Sequence, residues 1–268
     1  MSKNFYIVPH DFTELGDIAL SYAIQLCKSS PTEIQILHIS ASKSDVQKAN
    51  AKLDQIIETQ KIPSNITLSK SLLIGSIFDQ IGQHANKSGA QLIIMGTHGM
   101  RGMQRVFGSH AMKVITSCDI PFLVVQKETT FNDINHIVVP IDLTKESLQI
   151  VNIAGDLANK FDATVHVIGE KQNDDLLSQQ MKNRILIVKN QYEEKNVKCE
   201  VEFIKESGSY VKKILNYAKA KNIDVIAISY HSESLMPQFD TFAPTLMNNE
   251  MHLPCLLINS KLASALYF

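Results

Sequence analysis

The second half of this chain repeats the first. Tyr6-Ile7-Val8-Pro9-His10-Asp11-Phe12-Thr13 returns as Ile137-Val138-Val139-Pro140-Ile141-Asp142-Leu143-Thr144, an offset of 131 residues (142 − 11). Leu37-His38-Ile39 is matched by Val165-His166-Val167 (166 − 38 = 128), and Ile74-Gly75-Ser76 by Ser207-Gly208-Ser209 (208 − 75 = 133). Leu92–Met95 is matched by Val225-Ile226-Ala227-Ile228. Ile120-Pro121-Phe122-Leu123-Val124-Val125 is matched by Leu253-Pro254-Cys255-Leu256-Leu257-Ile258 (254 − 121 = 133). Five matches in one order at a nearly steady offset divide 268 residues into two similar domains, 1–128 and 135–268. The polar segment Glu-Thr-Thr-Phe-Asn-Asp-Ile-Asn lies between them.

Within each repeat, short apolar runs alternate with helical periodicity. In repeat one, Phe5–Pro9 reads as a strand, and Leu15, Ile18, Ala19, Tyr22, Ala23 and Leu26 mark one face of a helix with Thr13 at its cap. Strands follow at Ile34–Ile39, Ile66–Leu73, Leu92–Met95 and Phe122–Val125. Helices are expected around Val46–Ile57 and Ile77–Ala85, and up to Cys118. Strand–helix alternation implies right-handed crossovers and a mostly parallel sheet.

The fourth strand runs into Gly96-Thr97-His98-Gly99-Met100-Arg101-Gly102 and, after Arg105, into Gly108-Ser109-His110. Glycines let backbone N–H groups approach a ligand, and a helix starting near Gly108-Ser109 presents unpaired donors and a positive dipole end. From Gly96 to Cys118 there are Arg101, Arg105 and Lys113 and no acidic residue. Together these features point to an anion, phosphate foremost. His98 and His110 have no third ligand at metal-binding spacing, so they read as surface or hydrogen-bonding residues. His38 and His166, inside strand patterns, read as core or supporting residues.

A formal net charge of −1 gives no electrostatic case for nucleic acid as partner. Cys27, Cys118, Cys199 and Cys255 form no C-x-x-C pair and read as buried free thiols. No apolar run approaches the roughly 20 residues that span a bilayer, and no signal peptide is visible. The expected location is the cytoplasm, with no membrane partner. The tail 262–268 has no counterpart in repeat one.

These residues resemble the universal stress protein family in its tandem form. Pro9-His10-Asp11-Phe12-Thr13 is similar to the family's Pro-x-Asp-Phe-Ser/Thr at the end of its first strand. Gly96-x-x-Gly99, followed after eight residues by Gly108-Ser109, is similar to its glycine loop, where about nine intervene. The resemblance implies two Rossmann-like (adenine nucleotide alpha hydrolase-like) α/β domains, each a five-stranded parallel sheet of order 3-2-1-4-5 flanked by helices. It also implies a stress-response role, with an adenine nucleotide across the carboxyl ends of strands one and four. ATP is the foremost ligand, ADP or AMP the alternatives, and Mg²⁺ an open companion. Carried over residue by residue, Asp11 and the backbone of Ile39 would hold ribose and adenine, with Pro9 and His10 shaping the wall. Met95 and Gly96 would border the sugar. Gly99, Arg101, Gly102, Gly108, Ser109 and His110 would surround the phosphates.

The two repeats are expected to differ. Shifted by 133, Gly96 becomes Ser229, Gly99 becomes Ser232, Gly102 becomes Leu235 and Gly108 becomes Thr241. Glu233, Asp240 and Glu250 replace the basic residues, and Pro237 and Pro244 shorten or delay the helix. Domain 2 is therefore expected to carry a degenerate site. The family's pairing through fifth strands implies an intramolecular pseudo-dimer, with homodimerisation left open. With no loop carboxylate, no Gly-x-x-x-x-Gly-Lys-Ser/Thr and no Gly-x-Ser-x-Gly, catalysis is expected to be absent or slow. The alternatives are a ligand-free scaffold and a slow ATP-hydrolysing enzyme.

Overall fold

The computed structural model describes residues 4–97, 107–205, 207–230 and 241–260, with 107–110 described by their backbone alone. The chain divides into two compact units between Phe131 and Asn132, inside the polar junction.

Unit 1 runs β1 (Asn4–Pro9), α1 (Glu14–Leu26), β2 (Thr32–Ser40), α2 (Val46–Thr59), β3 (Ile66–Ile74), α3 (Ile77–Ser88), β4 (Leu92–Gly96), α4 (Phe107–Thr116) and β5 (Phe122–Val125). Its strands pair in parallel in the order β3-β2-β1-β4-β5. Unit 2 runs β6 (His136–Ile141), a 3₁₀ turn (Glu146–Leu148), α5 (Ile150–Phe161), β7 (Thr164–Glu170), α6 (Asp175–Glu194), β8 (Lys198–Ile204), α7 (Tyr210–Ala220), β9 (Val225–Tyr230), α8 (Phe242–Met247) and β10 (Cys255–Asn259). Its order, β8-β7-β6-β9-β10, is the same topology. The central strands are apolar on both faces because helices cover both: Ile7, Val8, Ile93 and Ile94 in unit 1 and Ile137, Val138, Val139, Val225 and Ile226 in unit 2 are fully buried.

Strand register corrects one of the internal matches. Pro9 pairs with Leu37 and Pro140 with Ile168, so the offset along the second strands is 131 (168 − 37), not 128. His38 therefore corresponds to Gly169, and His166 to Gln35. The two histidines share a Leu/Val-His-Ile/Val neighbourhood by coincidence of composition. The true equivalents are a bonded pair in each unit. His84 Nε2 lies 2.5 Å from Gln35 Oε1, and His166 Nδ1 lies 3.0 Å from the Tyr217 hydroxyl. Tyr217 stands 133 after His84.

Two smaller expectations also change. Thr13 occupies the N-cap of α1 but makes no side-chain cap bond; Asp11 takes its N–H instead. Cys27, Cys118 and Cys255 are buried free thiols, whereas Cys199 on β8 is half-buried. The helix of repeat two is short as expected: α8 has 6 residues against 10 in α4.

Gly96 shows how tightly α1 packs on β4. A Cβ placed there would lie 2.3 Å from Leu15 Cγ and 2.9 Å from the Leu15 carbonyl oxygen. In unit 2 the counterpart is Ser229, and the chain facing it is the 3₁₀ turn, whose Glu146 stands at the position of Leu15 (146 − 15 = 131). That looser turn admits a side chain, but the Ser229 hydroxyl is buried with no hydrogen-bond partner among the described residues. Gly96→Ala is therefore expected to cost roughly 1–3 kcal/mol through overpacking. Ser229→Ala should hold stability or gain up to about 1 kcal/mol by removing an unsatisfied hydroxyl. Urea unfolding of the two variants checks the contrast; equal effects would show that the glycine is not set by Leu15.

Candidate functional site

A cavity of about 200 Å³ opens at the carboxyl ends of the unit 1 strands, where the chain leaves β1 to one side and β4 to the other. This is the switch point at which open α/β sheets bind ligands, because the two crossovers diverge and leave a crevice. Pro9, His10 and Asp11 line it from β1; Leu37, His38 and Ile39 from β2; Met95, Gly96 and Thr97 from β4. Leu15 and Gly16 of α1, Ile77 and Ile81 of α3, and Ala111 and Val114 of α4 complete the wall.

Five of the sequence-expected residues thus meet in one place: Pro9, Asp11, Ile39, Met95 and Gly96. Gly108, Ser109 and His110 lie in the first turn of α4, the helix that carries Ala111 and Val114 into the cavity wall. Gly99, Arg101 and Gly102 lie outside the described residues, as do His98, Arg105, the segment Ser232–Asp240 and the tail 262–268.

The rim at β1 is held by local hydrogen bonds. Asp11 Oδ1 accepts from Thr13 N (3.1 Å) and from the Thr13 hydroxyl (2.6 Å), closing a turn that aims the chain into α1. Oδ2 makes no hydrogen bond among the described residues, and Asp11 is exposed. Phe12 has φ 64°, left-handed for a non-glycine residue. Its N–H donates to His10 Nδ1 at 3.0 Å. Its ring lies 4.2 Å from that of His38, and Lys52 Nζ sits 4.8 Å from its centroid. His38 Nδ1 donates to the His10 carbonyl at 2.7 Å.

His10 was legible in the sequence only as wall. It is 3% exposed, and its two bonds fix its tautomer. Nδ1 accepts from Phe12, so Nε2 carries the proton and donates to Asp17 Oδ1 at 3.2 Å. Burial lowers its pKa below the ordinary 6.5, against the pull of the Asp17 carboxylate. Protonation would also replace the Phe12 acceptor with a donor.

Thr97, just past β4, was not singled out. Its N–H donates to the Val125 carbonyl at 2.8 Å. The residue is 3% exposed, and its hydroxyl faces no hydrogen-bond partner among the described residues although the residue lines the cavity. An unpaired buried hydroxyl costs about 1–3 kcal/mol, so a cavity wall is where one is useful. Leu15, Leu37, Ile77, Ile81, Ala111 and Val114 carried only the signal of helix and strand cores, and Ile77 is in fact 42% exposed. Among the described residues no group of three metal ligands occurs.

Two parallel-sheet α/β units in tandem, the first with a crevice at its switch point, define a Rossmann-like fold. The universal stress protein family model matches residues 6–126 and again 133–239. The chain belongs to the universal stress protein family, in its tandem form. A universal stress protein of Methanocaldococcus jannaschii is 26% identical over 148 residues, covering 47% of this chain and 85% of that protein. Among solved structures, a universal stress protein from Archaeoglobus fulgidus aligns with a TM-score of 0.77 at 17% identity, over 97% of this chain and 100% of that one. A putative universal stress protein from Pseudomonas aeruginosa aligns with a TM-score of 0.63 at 16% identity, over 98% of both. At these identities the structural likeness speaks to the fold. Among the described residues no helix is long and apolar enough to cross a membrane.

The histidines give a pH expectation. Burial lowers the pKa of His10, and likewise of His84 and His166, below 6.5. Below about pH 6.5 the unfolded chain then binds more protons than the folded one. Stability is full above that value and falls as the pH drops through the folded pKa values. Thermal unfolding at about pH 7.5 and about pH 5.5 should show a smaller drop for His10→Asn than for wild type. Equal drops would remove His10 from the account.

Proposed function

We propose that unit 1 binds one adenine nucleotide per chain, ATP foremost, and that the protein acts by binding in a stress response rather than by catalysis. The observation that carries the reading is the crevice itself. Its walls are mostly apolar, as a base requires, with a few polar groups among them. Asp11 Oδ2 is free for ribose hydroxyls once Oδ1 has closed its turn. The Thr97 hydroxyl supplies a buried donor beside Met95 and Gly96. The first turn of α4 supports phosphate through its N–H groups. Gly99, Arg101 and Gly102 join the phosphate site in this reading through the sequence, with Arg101 as a charge partner.

Asp11 is the only carboxylate among the described residues that line the cavity, and it lies at the sugar end of the proposed pose. No carboxylate stands in the glycine loop between Gly96 and Gly108 to orient an attacking water. ATP turnover is accordingly proposed to be absent or incidental. Mg²⁺ would travel with the phosphates rather than on a protein cage.

Titration with labelled ATP should give a stoichiometry of one. Asp11→Ala should weaken binding by about tenfold or more, and Thr97→Val by about three- to tenfold, with circular dichroism unchanged. Two nucleotides per chain, or full affinity in Asp11→Ala, would overturn the site. Phosphate release at an ordinary enzymatic rate, on the order of 1–10³ per second, would overturn the binding-only role.

A further inference from the structure

The corresponding crevice in unit 2 is crossed by a side chain. Tyr210, the first residue of α7, stands where unit 1 has Ile77 (210 − 77 = 133). Each follows a serine whose hydroxyl caps its helix: Ser209 accepts from Lys212 N and Ser76 from Phe78 N. The Tyr210 hydroxyl donates toward the carbonyl of Ile141, the last residue of β6 (3.0 Å), and that of Ile168 in the second half of β7 (3.2 Å). The unit 1 counterparts of those residues are His10 and Leu37, which line the cavity together with Ile77. A side chain reaching from the one position to the other passes through the crevice.

The surrounding changes agree. In unit 1 the His10 carbonyl is satisfied by His38 Nδ1. Its counterpart in unit 2 has lost that donor, because Gly169 replaces His38. A Cβ at Gly169 would meet Ile185 Cδ1 at 2.7 Å and Met181 Sδ at 3.0 Å, so a side chain there would have to displace the ends of those α6 side chains. The phenol hydroxyl takes over the donor role. Phe242 of α8, which falls on Ser109 at the same shift of 133, stacks near Tyr210, with ring centroids 6.2 Å apart and planes 19° apart.

The geometry points to Tyr210 as a resident occupant: in unit 2 its phenol fills the seat that the cavity of unit 1 offers to a ligand's planar ring. Tyr210 is thus the residue that excludes a second ligand, more directly than the altered loop beyond β9. The unit 1 half of this statement rests on the proposed nucleotide reading; the unit 2 half does not.

Two variants test it. Tyr210→Ala should open a ring-sized cavity that free p-cresol, the tyrosine side chain as a molecule, enters. Near ten times its dissociation constant, p-cresol should raise the melting temperature of Tyr210→Ala by about 2–4 °C more than that of Tyr210→Phe, which keeps the ring. If Tyr210→Ala does not fold in buffer, its refolding yield with and without p-cresol gives the same readout. An equal response of the two variants would overturn the assignment. Conversely, Ile77→Tyr should close unit 1 and lower its affinity for adenosine by about tenfold or more, with the melting temperature held or raised. Unchanged adenosine affinity in Ile77→Tyr would overturn the equivalence of the two seats. Wild-type protein that takes up no adenosine would refute the nucleotide reading alone, and the p-cresol comparison would still decide the role of Tyr210.

Discussion

Toward the carboxyl ends of the first and second strands of each unit, a buried backbone carbonyl needs a hydrogen-bond donor. In unit 1 the backbone of His10 serves the Leu37 carbonyl at 2.9 Å, and His38 serves the His10 carbonyl. In unit 2 the Tyr210 hydroxyl takes the place of His38 at the Ile141 carbonyl (3.0 Å) and also lies within hydrogen-bond distance of the Ile168 carbonyl (3.2 Å). The choice of donor determines what remains of the crevice. An imidazole from the strand itself leaves the space above open. A tyrosine reaching across from the opposite helix fills it.

Several other differences between the repeats follow from that choice. His38 pins the turn after β1 and packs its ring, tilted by 33°, against left-handed Phe12 at the rim. Unit 2 has no imidazole there, and α6, longer than α2 by 20 residues to 14, packs onto bare Gly169 instead. At Ile39's counterpart, Glu170 is tied to Lys213 at 2.5 Å, an ion pair whose lysine side chain is 9% exposed. An apolar lining position has become a satisfied polar one. The Asx turn at Asp11 nevertheless persists at Asp142, with Oδ1 accepting from Thr144 N at 2.7 Å. That turn serves the chain's path into the next helix in both units, whereas the donor above it differs. An aspartate at this position is therefore no proof of a ligand site on its own.

The fold was open to reading from the chain because it rests on local, periodic signals. Leu92–Met95 and Phe122–Val125 are too short and too apolar to be anything but buried strands, and Ser76 and Gly89 bracket α3 at the residues where it starts and stops. Repetition doubled each signal. The family pattern around Pro9–Thr13 and Gly96–Gly99 also located the crevice, since those residues must end adjacent strands of a parallel sheet.

What the chain could not disclose was any relation that depends on register or on reach. His166 looks like the partner of His38 by its neighbours, yet Pro9–Leu37 and Pro140–Ile168 pairing moves it three residues along its strand. Gly96 looks like a ligand glycine, yet Leu15 of α1 already forbids a Cβ there. Ile77 and Tyr210 look alike as first residues on an apolar helix face, and only the fold shows one at an open mouth and the other spanning it. By itself the sequence determined two α/β units of one topology, because hydrophobic period and strand length are properties of neighbours in the chain. Only the tertiary structure decided which crevice is open, because that depends on which donor reaches a strand-end carbonyl from across the sheet.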